Sequence, residues 1–191
     1  MRVFSGCEIV GTRSGLAPHL LGEMWEELLT KYGTCWGTVI SNSMHPMIRL
    51  GDQVLVERVR PGTARFGDIV VFRRNGMLIV HRMLGKRASG GKFCFLEKGD
   101  ASLQAGVVPS EDIIGRVIVI RNSHQAIQTA HGSGRLLQLT LACISYFSLR
   151  QWISLEYCLA LGRNVAFKNR GEAAYNRFYS VLRRITLQLF L

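Results

Sequence analysis

The stretch 68–84, DIVVFRRNGMLIVHRML, decides the fold of this chain. Two runs of β-branched and aliphatic residues flank Asn75-Gly76. This dipeptide is the strongest short signal for a two-residue hairpin turn, because both residues tolerate a positive φ. We therefore expect antiparallel strands over Asp68–Arg74 and Met77–Leu84.

Three further apolar runs lie around this hairpin. They are Asp52–Val59, Lys92–Lys98 and Asp112–Arg121, and the second follows a Ser89-Gly90-Gly91 turn. Five short strands joined by glycine-rich turns predict a compact antiparallel sheet or a partly closed barrel.

Helical patterns precede and follow the strands. Residues 18–32 place an apolar face opposite glutamates and a lysine, and residues 134–161 are apolar with scattered charge. Residues 172–190 repeat the amphipathic pattern. The apolar positions are Leu20, Leu21, Met24, Trp25, Leu28 and Leu29 in the first helix and Phe178, Val181, Leu182, Ile185 and Leu189 in the last.

These patterns divide the chain into three parts. We expect an N-terminal helical segment over residues 1–35, a β domain over 36–121 and a basic, amphipathic helical tail over 122–191. Five cysteines show no paired spacing of the kind that holds zinc, so we expect no metal.

The positive charge is concentrated towards the end of the chain. Residues 121–191 carry nine basic and two acidic side chains, within a whole chain of net charge +11. A basic amphipathic helix is typical of contact with an anionic membrane surface, although packing on the body or on a partner protein demands the same pattern. No helix-turn-helix or base-stacking motif favours nucleic acid.

The sequence predicts neither a transmembrane segment nor a signal peptide. The longest uncharged apolar run, Leu136–Leu149, is shorter than the roughly 20 residues that a membrane span needs. The first residues show no clean apolar region before Glu8 and Arg13. We therefore expect peripheral membrane association, with a cytoplasmic location as the alternative.

Three residues of the strand region have complementary chemistry. A serine such as Ser43 becomes a nucleophile when a histidine such as His81 takes its proton, and an aspartate on the other ring nitrogen fixes the tautomer. If residues 88–91 form a four-residue turn, His81 lies opposite Lys98 and Asp100 is its diagonal neighbour. A register shift of one residue would put His81 and Asp100 on opposite faces.

The motifs resemble a known group of serine peptidases. Ser41–Pro46, SNSMHP, followed by a Gly-Asp pair and an apolar strand, resembles the nucleophile region of type I signal peptidases and of the wider group that includes the self-cleaving LexA-type repressor peptidases. Gly67–Phe72 is similar to the next strand of that group, and Val80–Arg82 matches the general-base position. Histidine there is similar to the endoplasmic-reticulum, archaeal and sporulation-type branch. Lys98–Asp100 and Ile113–Val117 match the third block.

The resemblance, which covers about residues 35–120, implies a serine endopeptidase with a partly open β-barrel. It implies Ser43 as the nucleophile, His81 as the general base and Asp100 as the residue that orients His81. The backbone N–H of Ser43 and the hydroxyl of Ser41 would form the oxyanion hole. The implied reaction cleaves a protein or peptide after a small residue through an acyl-enzyme, without a metal or other cofactor.

The same resemblance implies where a substrate would bind. Val39, Ile40 and Met44 flank the nucleophile and would line shallow apolar subsites. On position alone His45 and Lys98 are alternative bases, and the resemblance supports neither. Two other functions stay open, namely a soluble peptidase of the same group that matures a cytoplasmic peptide or partner protein, and a non-catalytic basic binding module.

Overall fold

The computed structural model describes residues 18–60, 62–89, 91–123, 125–162 and 165–190. Residues 1–17 of the predicted N-terminal segment and Gly90 of the predicted turn lie outside this range. The described part is mainly β, with a curled antiparallel sheet, one helix before it and two helices after it. In chain order the elements are α1 (Pro18–Tyr32), β1 (Thr34–Thr38), β2 (Gln53–Arg58), β3 (Ile69–Arg74), β4 (Met77–Ser89), β5 (Lys92–Lys98), β6 (Gly106–Pro109), a short 3₁₀ turn (Ser110–Asp112), β7 (Ile113–Arg121), β8 (Ala126–Gln128), α2 (Gly132–Gly162) and α3 (Val165–Phe190).

The predicted hairpin is confirmed and lies inside a larger sheet. Arg74 pairs with Met77 across Asn75 and Gly76, whose φ angles are 52° and 75°. The strand order is β1-β2-β7-β3-β4-β5-β6, and β8 pairs with β7. β7 thus joins β2 to β3, and the sheet is curled into a half-barrel. The prediction of a mainly β core with helices on either side is confirmed.

The pairing of β4 with β5 contains an irregularity that the predicted register lacks. Ser89 pairs with Lys92 and Arg82 pairs with Lys98, with a shift in register between Met83 and Gly85. The predicted four-residue turn would instead pair Arg87 with Lys92, and the shift compensates for one of these two residues. The prediction that His81 lies opposite Lys98 is therefore wrong by one residue. Because neighbouring side chains on a strand point to opposite faces, this shift changes which acidic residue shares a face with His81.

Helix α1 closes one end of the main core. Trp25 and Leu29 are buried, as the sequence pattern predicts, whereas Leu20 and Met24 on the same helix are more exposed. A Cβ on Gly37 would lie only 2.5 Å from the indole ring of Trp25, so glycine in β1 is what admits the ring. The helix thereby contributes Trp25 to the floor of a groove described below.

Helices α2 and α3 form a second layer. Leu137 and Leu141 of α2 are fully buried against the main core. The Tyr179 hydroxyl of α3 donates to Gln151 Oε1 at 2.5 Å, which joins the two helices. Among the described residues, none of the helices is long and apolar enough to cross a membrane.

Candidate active site

Ser43 lies in the connection between β1 and β2, which we call the nucleophile loop (residues 39–52) because Ser43 is the predicted nucleophile. Side chains of the loop bind its own backbone: Leu50 N donates to Asn42 Oδ1 at 3.2 Å, and Arg49 N donates to Asp52 Oδ2 at 2.8 Å. Asn and Asp favour such local turns, since their short polar side chains substitute for a backbone partner. The loop around Ser43 is therefore held by its own polar residues.

Ser43 and His81 meet at the turn that follows β5. The carbonyl oxygen of Ser43 accepts a hydrogen bond from Ala101 N at 2.9 Å. A Cβ on Gly99 would lie 2.7 Å from Ser43 O and 3.0 Å from His81 Nε2, so both atoms border the same small space. The Ser43 hydroxyl also lies 3.3 Å from the hydroxyl of Ser41. The structure thus brings Ser41, Ser43 and His81 together, and it needs glycine at position 99 to do so.

Glu97 holds the other nitrogen of His81. His81 Nδ1 lies 2.5 Å from Glu97 Oε2, and Arg74 forms an ion pair with Glu97 Oε1 at 2.8 Å. The Glu97 side chain is 2% exposed and that of His81 is 17% exposed. Burial raises the pKa of Glu97, but its hydrogen bonds and charge interactions with His81 and Arg74 outweigh burial and set the pKa below its ordinary value of 4.5. With the carboxylate on Nδ1, Nε2 is the ring nitrogen that borders Gly99 and the Ser43 carbonyl.

The prediction that Asp100 orients His81 is corrected by these contacts. Asp100 instead accepts two hydrogen bonds from Arg82, at 2.8 and 2.6 Å, and a third from the Ser145 hydroxyl of α2 at 3.2 Å. Arg82 and Asp100 are both 0% exposed. The physical reason is the shift in register, since it places Asp100 on the face of Arg82 and Glu97 on the face of His81.

Arg82 and Asp100 belong to a buried charge cluster that also contains Lys98 and Arg183. Burial alone would raise the pKa of Asp100, but the charge and hydrogen bonds of Arg82 lower it below its ordinary value. Burial, followed by the charge of Arg183, lowers the pKa of Lys98 to about 8. Three cations therefore surround one carboxylate, and the third of them comes from α3.

The two alternative bases lie apart from the His81–Glu97 pair. Lys98 follows Glu97 directly in β5, so its side chain occupies the opposite face of the sheet, where its amino group donates to Gly99 O at 3.4 Å. His45 is half-buried, and burial lowers its pKa, with further lowering by the charges of Arg184 and Arg49.

An apolar groove with a volume of about 270 Å³ lies against Ser43. Its walls are the nucleophile loop and the first half of β4, and α1 closes its floor. All three residues predicted to bind substrate contribute to it. The lining includes Trp25, Val39, Ile40, Met44, Leu78 and Val80, together with the hydroxyl-bearing Ser41 and Ser43.

A family model described as Peptidase S24-like matches residues 21–118, which is half of the chain. The chain belongs to the Peptidase S24-like family. A comparison with curated proteins finds no match. The matched range contains the whole site, from Trp25 on the groove floor to Asp100. The family is one of peptidases and includes LexA-like autoproteases.

Three residues of the site had no role in the sequence-based prediction. Glu97 and Arg74 are ordinary charged residues at the ends of their strands, and only the true register reveals that they share a face with His81. Gly99 lies in the Lys98–Asp100 motif, but the motif assigns it no function. Its role depends on the close approach of Ser43 and His81, which lie far apart in the sequence.

Proposed function

We propose that this chain is a serine endopeptidase of the signal peptidase I type, which cleaves a peptide bond after a small residue. The observation that carries the proposal is the convergence of Ser43 and His81 Nε2 on Gly99, with Glu97 on His81 Nδ1. A serine, a base and a carboxylate that orients the base form the arrangement that activates a hydroxyl.

In the proposed reaction Ser43 Oγ attacks the scissile carbonyl carbon while His81 Nε2 takes the hydroxyl proton. The C–N bond then breaks, His81 returns the proton to the leaving amine, and an ester to Ser43 remains. Water, deprotonated by His81, hydrolyses this ester and regenerates Ser43. Glu97 keeps the imidazolium oriented and stabilised throughout.

Two donors are proposed to stabilise the oxyanion. One is the backbone N–H of Ser43 and the other is the Ser41 hydroxyl, which lies 3.3 Å from the Ser43 hydroxyl. One such donor is worth about 10²–10³ in rate. The groove next to Ser43, with Val39, Ile40 and Met44 in its lining, is proposed to hold the residues that precede the cleaved bond.

Covalent labelling by a serine-directed acylating probe, read by intact-protein mass, tests the activated nucleophile. Ser43→Ala should abolish labelling and peptide cleavage, and His81→Ala should slow both by about 10²–10⁴. Ser123→Ala and His131→Ala are matched controls at exposed positions and should react as the wild type does. Undiminished labelling of Ser43→Ala would refute the proposal.

Cleavage in cis is a second candidate, which the match to a family that includes autoproteases favours. Incubation of the protein alone distinguishes the two. A chain that shortens at a rate independent of its concentration cleaves itself, whereas a chain that stays intact but cuts an added peptide acts in trans. Neither activity in a folded sample would leave the basic binding module as the remaining function.

A further inference from the structure

Helix α3 exposes the apolar face that the sequence predicts for it. Phe178 is 62% exposed and Leu189 is 78% exposed, and Val181 and Ile185 between them are about half exposed. Their spacing places all four on one side of the helix. We call this surface the apolar stripe (Phe178, Val181, Ile185 and Leu189).

The body of the protein packs on a different side of α3. Tyr179, Arg183 and Thr186 are the buried residues of the helix, and Tyr179 binds α2. The sequence left open whether this amphipathic helix packs on the body or contacts a membrane. The side that packs on the body is the one that bears Arg183. Phe178 contacts the Tyr179 ring of the same helix edge to face, with centroids 5.2 Å apart, and all four side chains of the stripe still stay about half exposed or more.

The charges beside the stripe favour an anionic surface as its partner. Arg177 and Arg184 are exposed and adjoin it along one edge, and the α3 sequence holds five basic residues and one acidic residue. Apolar side chains bordered by arginines on a helix of low overall hydropathy are typical of helices that lie in the interface of an anionic bilayer. A second copy of this chain would bring the same arginines together, and their mutual repulsion opposes that contact.

The last turns of α3 lie close to the nucleophile loop. Leu187 and Gln188 of α3 line one pocket together with Met47, Arg49 and Leu50 of the loop. Leu50 is itself 62% exposed. On the same side, the charge of Arg184 acts on His45, two residues after Ser43.

We propose that the apolar stripe of α3, with Arg177 and Arg184, binds the surface of an anionic phospholipid membrane and holds the nucleophile loop beside it. The stripe enters the boundary between headgroups and acyl chains, and the arginines contact lipid phosphates. Resting on the proposed function, this placement brings Ser43 to the membrane surface.

Vesicle co-sedimentation of the full-length Ser43→Ala protein tests this surface, since binding is then read without cleavage. Vesicles of phosphatidylcholine with roughly a third phosphatidylglycerol should bind the protein, vesicles of phosphatidylcholine alone should bind it weakly, and added salt should weaken binding. Combined Phe178→Ser and Leu189→Ser should lower binding by about a hundredfold, because each side chain loses apolar burial. Arg177→Gln should lower it by about fivefold.

Matched variants lie outside α3. Combined Leu136→Ser and Val107→Ser removes two comparably exposed apolar side chains, and Arg87→Gln removes an exposed arginine of β4. These controls should bind vesicles as the Ser43→Ala protein does. The proposal is overturned if anionic vesicles do not bind the protein or if the stripe variant binds them equally well. A dimer that the stripe variant converts into a monomer would also overturn it. Vesicle binding without any labelling of wild-type Ser43 would instead count against the proposed function alone.

Discussion

His81 and Arg82 are neighbours in β4, and each binds a carboxylate from the end of β5, yet the two pairs differ in their surroundings. The His81–Glu97 pair lies beside Ser43 and keeps part of the imidazole exposed. The Arg82–Asp100 pair is fully buried beneath α2. One residue of sequence thus separates a pair suited to proton transfer from a pair suited to holding two layers together.

The difference comes from strand alternation and from what covers each face. A base that exchanges protons with a bound peptide needs an open side, which the His81 face has. A buried guanidinium needs all its donors satisfied, and Arg82 meets Asp100, Gly67 O and Gln138. The similar sequence positions of Glu97 and Asp100 therefore conceal different roles.

Of the changes to these two pairs, replacing Glu97 should have the largest effect. Glu97→Gln keeps the shape but removes the negative charge that orients His81 and stabilises its protonated form. We expect the second-order rate of Ser43 labelling to fall by about 10³–10⁴, with the fold retained. Glu26→Gln, which affects a half-exposed pair with Arg73, should label normally. A Glu97→Gln protein that reacts at the wild-type rate would show that His81 needs no carboxylate partner.

Replacing Asp100 should affect stability instead of chemistry. Asp100→Asn leaves the charge of Arg82 buried without its counter-charge, so we expect the free energy of unfolding in urea to fall by about 3–5 kcal/mol. The pKa of Asp100 is depressed, so this stabilisation is present above about pH 4 and is lost as the pH falls through the folded-state value. Glu111→Gln, in an exposed pair with Lys92, should cause no measurable change. A stable Asp100→Asn protein that no longer labels would reverse the two roles.

The hairpin and the main strands were predictable, whereas the orienting carboxylate was not. Asn75-Gly76 fixes one turn by local chemistry, and β-branched runs mark the buried strands. The partner of His81 depends on the register shift between Met83 and Gly85. An isolated glycine inside a strand is the local signal for such a bulge, but it does not state which strand carries the extra residue.

The short strands and the helical layer show a second limit. β1, β6 and β8 contain only three to five residues each, too few to show an alternating pattern, and pairing with longer neighbours holds them in place. The amphipathic pattern of α3 was visible in the sequence. Which side packs inward was not, because Arg183 is buried within a charge cluster that only tertiary structure assembles.

Lys98 provides a further test of the buried charge cluster around Asp100. Burial lowers its pKa to about 8, so the folded state binds protons less readily than the unfolded state between about pH 8 and 10.5. Stability of the wild type should therefore rise with pH across that interval. Lys98→Met should raise the free energy of unfolding at pH 7 by roughly 3 kcal/mol, and this gain should shrink at pH 10. Urea unfolding at both pH values measures it, with exposed Lys92→Met as the control. An equal gain in the free energy of unfolding at both pH values would mean that the buried charge of Lys98 does not destabilise the fold.

Replacing Arg74 should have the smallest effect. It tests the partly exposed His81–Glu97 pair without changing His81. Its guanidinium binds Glu97, donates to Val107 O and lies over the Phe72 ring at 5.0 Å. Arg74→Met removes one of the partners that lower the pKa of Glu97, so that pKa should rise. Glu97 is then protonated at a higher pH. The acid limb of the pH profile of the labelling rate should therefore shift to higher pH.

Arg74→Met should therefore lose more of its labelling rate at pH 5 than at pH 8. At pH 8 the loss should stay below about tenfold, because His81 still binds an ionised Glu97. Arg73→Met is the matched control, since the neighbouring side chain points to the other face and pairs with Glu26. An acid limb that stays in place would mean that His81 alone keeps Glu97 ionised. The His81–Glu97 pair would then need no help from Arg74.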